Sequence, residues 1–191
     1  MTTEIGTPAR VLLVGKRVRV LDELGRALRE AGMVVREETD ADRVRYGVDG
    51  ASIDILALGR AVTGPKRDRM ISSLKAQNPT LRVVDGLAPI PSIIVAQIRE
   101  VVTAPNRDTR IVGAAAYESG DNSIVLVLRR PAHLDVTLHR LDPLYRVHET
   151  DVYTGPLDRG RQRLPLGRRV GRGERFLVVE ADHETTVHPL G

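Results

Sequence analysis

Cysteine and tryptophan are absent from this 191-residue chain, and its aromatic residues are one phenylalanine and four tyrosines. Without cysteine there is no disulfide, no thiolate nucleophile, no Cys-ligated zinc and no iron–sulfur cluster. Without tryptophan, and with so few tyrosines, there is no stacking platform for a carbohydrate. Lysine is scarce too. Only Lys16, Lys66 and Lys75 accompany 26 arginines, a skew that reflects codon composition more simply than a binding surface. No run of about 18 apolar residues occurs, so no membrane span and no membrane partner are expected. The start, MTTEIGTPAR, lacks the basic-then-apolar pattern of a secretory signal. A cytoplasmic protein is the expectation that remains.

Hydrophobic residues make up 41% of the chain and charged residues 28%, as in a folded globular protein. The formal net charge is +4. Residues 1–107 hold 17 basic and 13 acidic side chains, whereas residues 108–191 hold 12 of each. The excess is modest and confined to the first half, so nucleic acid is disfavoured as the main partner.

The first half alternates strand-like and helix-like segments. Arg10–Gly15 is a short apolar run ending in glycine, as a buried parallel strand would be. Val18–Ala31 then has helical spacing, with Val20, Leu21, Leu24, Ala27, Leu28 and Ala31 on one face and Gly32 as a C-terminal cap. Met33–Glu37, Ile53–Gly59 and Leu81–Asp85 read as further strands. Pro65 opens a helix to about Gln77, Ser92–Val102 forms another, and a short helix fits Ala41–Tyr46. Strands separated by helices call for parallel pairing with right-handed crossovers. After residue 106 the period changes to two, with turn signals every 8–12 residues. Strands are expected at Arg110–Glu118, Ser123–Arg130, Leu134–Leu141, Tyr145–Tyr153, Arg163–Val170, Glu174–Ala181 and Thr185–Leu190. The loops between them include Thr154–Arg161 and the Gly171–Arg172–Gly173 turn. The fold class is therefore α/β plus all-β. A small three-layer domain with four parallel strands ordered 2-1-3-4 spans 1–106, and an antiparallel β-sandwich spans 107–191.

The strand–Gly–helix–strand order of residues 9–103 looks like a flavodoxin-type fold, and most resembles the receiver domain of two-component response regulators. The resemblance implies acidic residues after the first strand to hold magnesium, a phosphoaccepting Asp ending the third, and a Lys–Pro pair near the last. This sequence has Gly15–Lys16, Gly59–Arg60 and Ala88–Pro89 at those places. A receiver also has five strand–helix units, and four are present here. The resemblance therefore implies a pseudo-receiver, a non-catalytic regulatory or protein-interaction module with a protein partner, because aspartyl phosphate needs a carboxylate nucleophile beside a cation.

The replacements suggest a second reading. In an open sheet ordered 2-1-3-4, ligands bind where the ends of strands one and three meet. Gly15, Lys16, Arg17, Gly59, Arg60 and Lys66 would gather there, glycines admitting a ligand closely and cations favouring a small anion. Glu37, Glu38 and Asp40 could take a ribose hydroxyl. No cofactor is assigned, but a nucleotide or phosphate fits this arrangement, although neither G-x-G-x-x-G nor the P-loop pattern is present. Asp22, Glu23 or Asp85 could instead fold over and neutralise the cations.

All five histidines, His133, His139, His148, His183 and His188, lie in the second half. They lack metal-ligand spacing, and alternation with Leu138 predicts that His139 faces solvent. No catalytic residue or metal ligand is assigned. Arg159–Arg175 packs seven guanidiniums against only Asp158 and Glu174. Arg161, Arg163, Arg168, Arg169 and Arg172 form its candidate basic surface. A charge-protected edge hairpin is the simpler reading of that segment, and nucleic-acid binding the sharper one.

Overall fold

A computed structural model of the chain describes residues 8–86, 90–103, 106 and 108–190. It divides into two compact units, Met1–Ile98 and Arg99–Gly191. The division falls inside the helix that ends the first unit, ahead of the boundary expected at 106–107. Ala104 and Pro105, expected to close that unit, lie outside the described residues.

In the first unit the apolar runs become parallel strands β1 (Arg10–Val14), β2 (Val34–Glu38), β3 (Ile55–Leu58) and β4 (Arg82–Asp85). Their order is β2-β1-β3-β4, as the sequence pattern predicts. Between and after them run α1 (Val18–Glu30), α2 (Ala41–Gly47), α3 (Pro65–Gln77) and α4 (Pro91–Thr103). Leu12, Val14, Leu56 and Leu58 face Val44 of α2 and Met70 and Leu74 of α3. The alternate residues Val11, Leu13, Ile55 and Ala57 are equally buried on the other face. A strand buried on both faces has continuous apolar sequence, which is why these runs are legible. Each fully buried Leu or Ile contributes about 2 kcal/mol. Helix α1 ends where the sequence punctuates it. Gly32 adopts φ +83°, its N–H donates to Arg29 O, and the Met33 N–H donates to Leu28 O, a left-handed cap that glycine allows.

The second unit is antiparallel throughout. One sheet has the order β11-β10-β7-β8 and the other β5-β6-β9. The strands are β5 (Val112–Glu118), β6 (Ser123–Leu128), β7 (Ala132–Leu141), β8 (Val147–Leu157), β9 (Gly160–Pro165), β10 (Glu174–Ala181) and β11 (Glu184–Leu190). Between the sheets lies an aliphatic core. Ile124 and Leu126 from one sheet meet Leu134, Val136, Leu177 and Val179 from the other, so the shortage of aromatics is met with branched side chains.

Two expectations change here. The predicted strand Arg163–Val170 and loop Thr154–Arg161 give way to a longer β8 and to β9 at Gly160–Pro165. The chain crosses from one sheet to the other in two residues, Asp158 and Arg159, with Gly160 at φ +115°. As the edge strand beside β6, β9 buries only Leu164, so it carries almost no apolar alternation. The second change is His139. It lies on the face opposite Leu138, as alternation requires, but is only 5% exposed. Its cross-strand neighbours are Phe176, itself buried, and Glu149. Alternation fixes the face of a residue and says nothing of what covers that face.

Candidate functional site

The carboxyl ends of β1 and β3 meet. Val14 and Leu58 are in register, and the Gly59 N–H donates to Val14 O at 2.9 Å. The Gly15 N–H in turn donates to Glu38 O at 3.1 Å, which places Gly15 between the ends of β2 and β3. A side chain on Gly59 would stand 3.6 Å from the Gly15 Cα. Lys16 and Arg17 follow at once and are exposed. The Arg17 carbonyl accepts the N–H groups of Val20 and Leu21, opening α1, whose first turn holds no acid. Glycine backbone, two cations and the start of a 13-residue helix thus converge on one end of the sheet.

The remaining predicted residues sort differently. Lys66 opens α3, and its ammonium is held by Asp42 of α2 at 2.6 Å. That hydrogen bond raises the Lys66 pKa and lowers that of Asp42. Arg67, which no sequence motif marks, grips Asp85 at the end of β4 through both carboxylate oxygens at 2.8 Å. Asp85 is therefore tied to Arg67. Glu37 pairs with Arg29 at 2.7 Å. Glu38 accepts from the Thr39 N–H at 2.9 Å, and Asp40 caps α2 through the Asp42 N–H at 2.9 Å. Each acid considered for a ribose hydroxyl thus already has a partner, that of Glu37 on α1 and those of Glu38 and Asp40 in the segment that follows β2. Ala88–Pro89, expected at the place of a receiver's Lys–Pro pair, lie outside the described residues.

The basic segment of the second unit divides in two. Arg161 pairs with Glu118 at 2.5 Å, and Arg163 pairs with Glu118 at 2.8 Å and with Asp121. These guanidiniums cross from β9 to the β5–β6 hairpin and are neutralised there. Arg168, Arg169 and Arg172 lie on the loop 166–173, are exposed, and form no ion pair among the described residues. Arg168 and Arg169 line a cavity of about 780 Å³, together with Arg140 and His148. His148 is held by Asp142 at 3.0 Å, and this contact with two backbone N–H donors draws the Asp142 carboxyl down to about 2. Nothing in the linear sequence separates the two subsets of arginine, because the acids that neutralise Arg161 and Arg163 are about 40 residues away in the chain.

The histidines do not gather. His139 lies 3.2 Å from Glu149, and His188 lies 3.1 Å from the Thr186 hydroxyl. Among the described residues no three metal-ligating side chains form a group. Comparison with protein-family models and with curated proteins finds no match to this chain.

Proposed function

We propose that this is a non-catalytic regulatory or protein-interaction protein, built on a receiver-like domain that lacks a phosphoacceptor. The observation that carries the reading is the carboxyl end of the parallel sheet. Gly15–Lys16–Arg17 ends β1 and Gly59–Arg60 ends β3, so the two places where phosphoryl chemistry needs carboxylates hold backbone and cations. Nearby Asp85 and Glu37 are held in ion pairs with Arg67 and Arg29. A metal drawn there would meet like charge, and an acyl phosphate would have no carboxylate to form on at the end of β1 or β3. Incubation with acetyl phosphate and magnesium, followed by intact mass spectrometry at acid pH, tests this. The expected spectrum shows unmodified protein; a stoichiometric phosphoryl adduct on an Asp of the first unit overturns the reading.

A second reading is favoured by the same convergence of Gly15, Gly59 and the start of α1. The crevice would hold a small anion such as a nucleotide phosphate. Added phosphate should then raise the melting temperature at low salt, and Lys16→Ala with Arg60→Ala should abolish the shift. No shift in the parent protein removes this reading and leaves the first intact.

A further inference from the structure

We propose that the free edge of β8 accepts an acidic peptide as an added strand, in the groove between that edge and the loop 166–173. The proposal deepens the interaction reading and rests on it. Strand β8 is the last in the order β11-β10-β7-β8. The outward-pointing N–H and C=O groups of an edge strand form a template for another extended chain. Charged side chains usually blunt such an edge, but here the charges are sorted by face. Arg140 and Leu138 stand in register with His148 and Thr150, whereas His139 and Thr137 stand in register with Glu149 and Asp151. One face of the edge is therefore basic and the other acidic.

The facing wall is built to stay in place. At one end of the loop, the Leu166 N–H donates to Asn122 O, and the Asn122 amide donates to Leu166 O and Arg168 O at 2.8 and 3.0 Å. Asn122 is itself fixed by the Tyr117 hydroxyl at 3.0 Å. At the other end, the Arg140 guanidinium donates to Arg172 O at 3.0 Å. Between these anchors Arg168 and Arg169 line the same cavity as residues 148–152 of β8. Consecutive residues of β8 line that cavity, together with Leu138 and Arg140 of β7, so it runs along the strand as an extended chain needs.

The side-chain chemistry of the occupant follows from register. Alternate residues of an added strand would face Arg140, His148, Arg168 and Arg169, and guanidinium forks suit carboxylates. The intervening residues would share the face of Glu149 and Asp151, which repels acids. The groove thus selects acids at every second position, separated by neutral residues. Nucleic acid is the less suitable occupant, because no aromatic side chain lines the groove to stack a base.

The probe is a fluorescein-labelled peptide of alternating Glu and Thr, titrated with the full chain at low salt. Saturable binding in the micromolar range is expected, with slowed amide exchange over Val147–Asp151. Arg168→Ser with Arg169→Ser should weaken binding at least tenfold. Arg161→Ser with Arg163→Ser, which removes neutralised cations, should leave it within twofold. A peptide N-methylated at alternate amides should not bind. The proposal is overturned by absence of binding at 1 mM peptide, by binding without protection of the edge, or by indifference to the Arg168/Arg169 change. It is equally overturned, in favour of nucleic acid, if oligothymidylate binds more tightly and protects the same edge. A phosphoryl adduct on the first unit would instead defeat the interaction reading and leave the peptide titration unaffected, so the two failures are distinguishable.

Discussion

Replacing Gly173 with alanine should unfold the end of the loop that carries Arg168 and Arg169. Gly173 holds φ +137° immediately before β10, where Glu174 pairs with Leu141. An alanine Cβ there would run into the Leu141 carbonyl, its carbon 2.9 Å away, with the Asp142 Cα at 3.1 Å. Both neighbours are backbone, so no side-chain rotation relieves the clash. The backbone conformation alone costs a non-glycine residue about 1–3 kcal/mol. Shifting the chain to escape would also draw Arg172 O off the Arg140 guanidinium, a further loss of about 1 kcal/mol. The expected total is about 3 kcal/mol or more. Tyr117, Tyr145 and Tyr153 lie in the second unit and Tyr46 in the first, so tyrosine fluorescence during urea unfolding reports mainly on the affected unit. With an m-value of about 1 kcal/mol/M, the midpoint should fall by about 3 M. Gly167→Ala in the same loop is the control. Among the described residues nothing beyond its two chain neighbours lies within 4 Å of its Cβ position, and its effect should stay within about 0.5 kcal/mol. If Gly173→Ala also stays within about 0.5 kcal/mol of the parent, the loop is not held as described.

Leu126 is fully buried between the two sheets, so Leu126→Ala should cost about 2–5 kcal/mol in the tyrosine-detected transition. A loss below about 1 kcal/mol would mean that the sheets do not share this core. Burial, reinforced by Arg110, pushes the His188 pKa down to about 4. A histidine that stays neutral when folded but binds a proton near pH 6.5 when unfolded gives stability that is complete above pH 6.5. That stability should decline by about 3 kcal/mol as the pH falls to about 4. The His188 ring-proton NMR titration should accordingly have its midpoint near 4; a midpoint near 6.5 contradicts the burial.

The parallel unit was the more legible half because its strands are buried on both faces and its helix ends carry strong punctuation. Pro65 begins α3 where the sequence predicts, and Gly32 closes α1. The sandwich was legible wherever one face of a strand lines the core, as in Glu174–Ala181, which is observed at the predicted bounds. It failed at β9, because an edge strand that buries only Leu164 leaves no periodic signal. The strand expected at Arg163–Val170 beside the Gly171–Arg172–Gly173 turn therefore lies too far along the chain. The meeting of Gly15 and Gly59 followed from topology alone. The fate of the charges did not. Lys66 finds Asp42 across 24 residues and Arg163 finds Asp121 across 42, and such pairings depend on tertiary placement that composition does not encode.

The carboxyl end of the parallel sheet, as proposed, lacks the chemistry of an acyl-phosphate switch. Beryllofluoride with magnesium imitates an aspartyl phosphate only where a carboxylate and a metal-holding acid stand together. The direct measurement is a ¹H–¹⁵N NMR titration of the full chain with that pair of reagents. No saturable shifts are expected at the amides of Gly15, Lys16, Gly59 and Arg60. Stoichiometric, magnesium-dependent shifts at those amides would contradict the proposal.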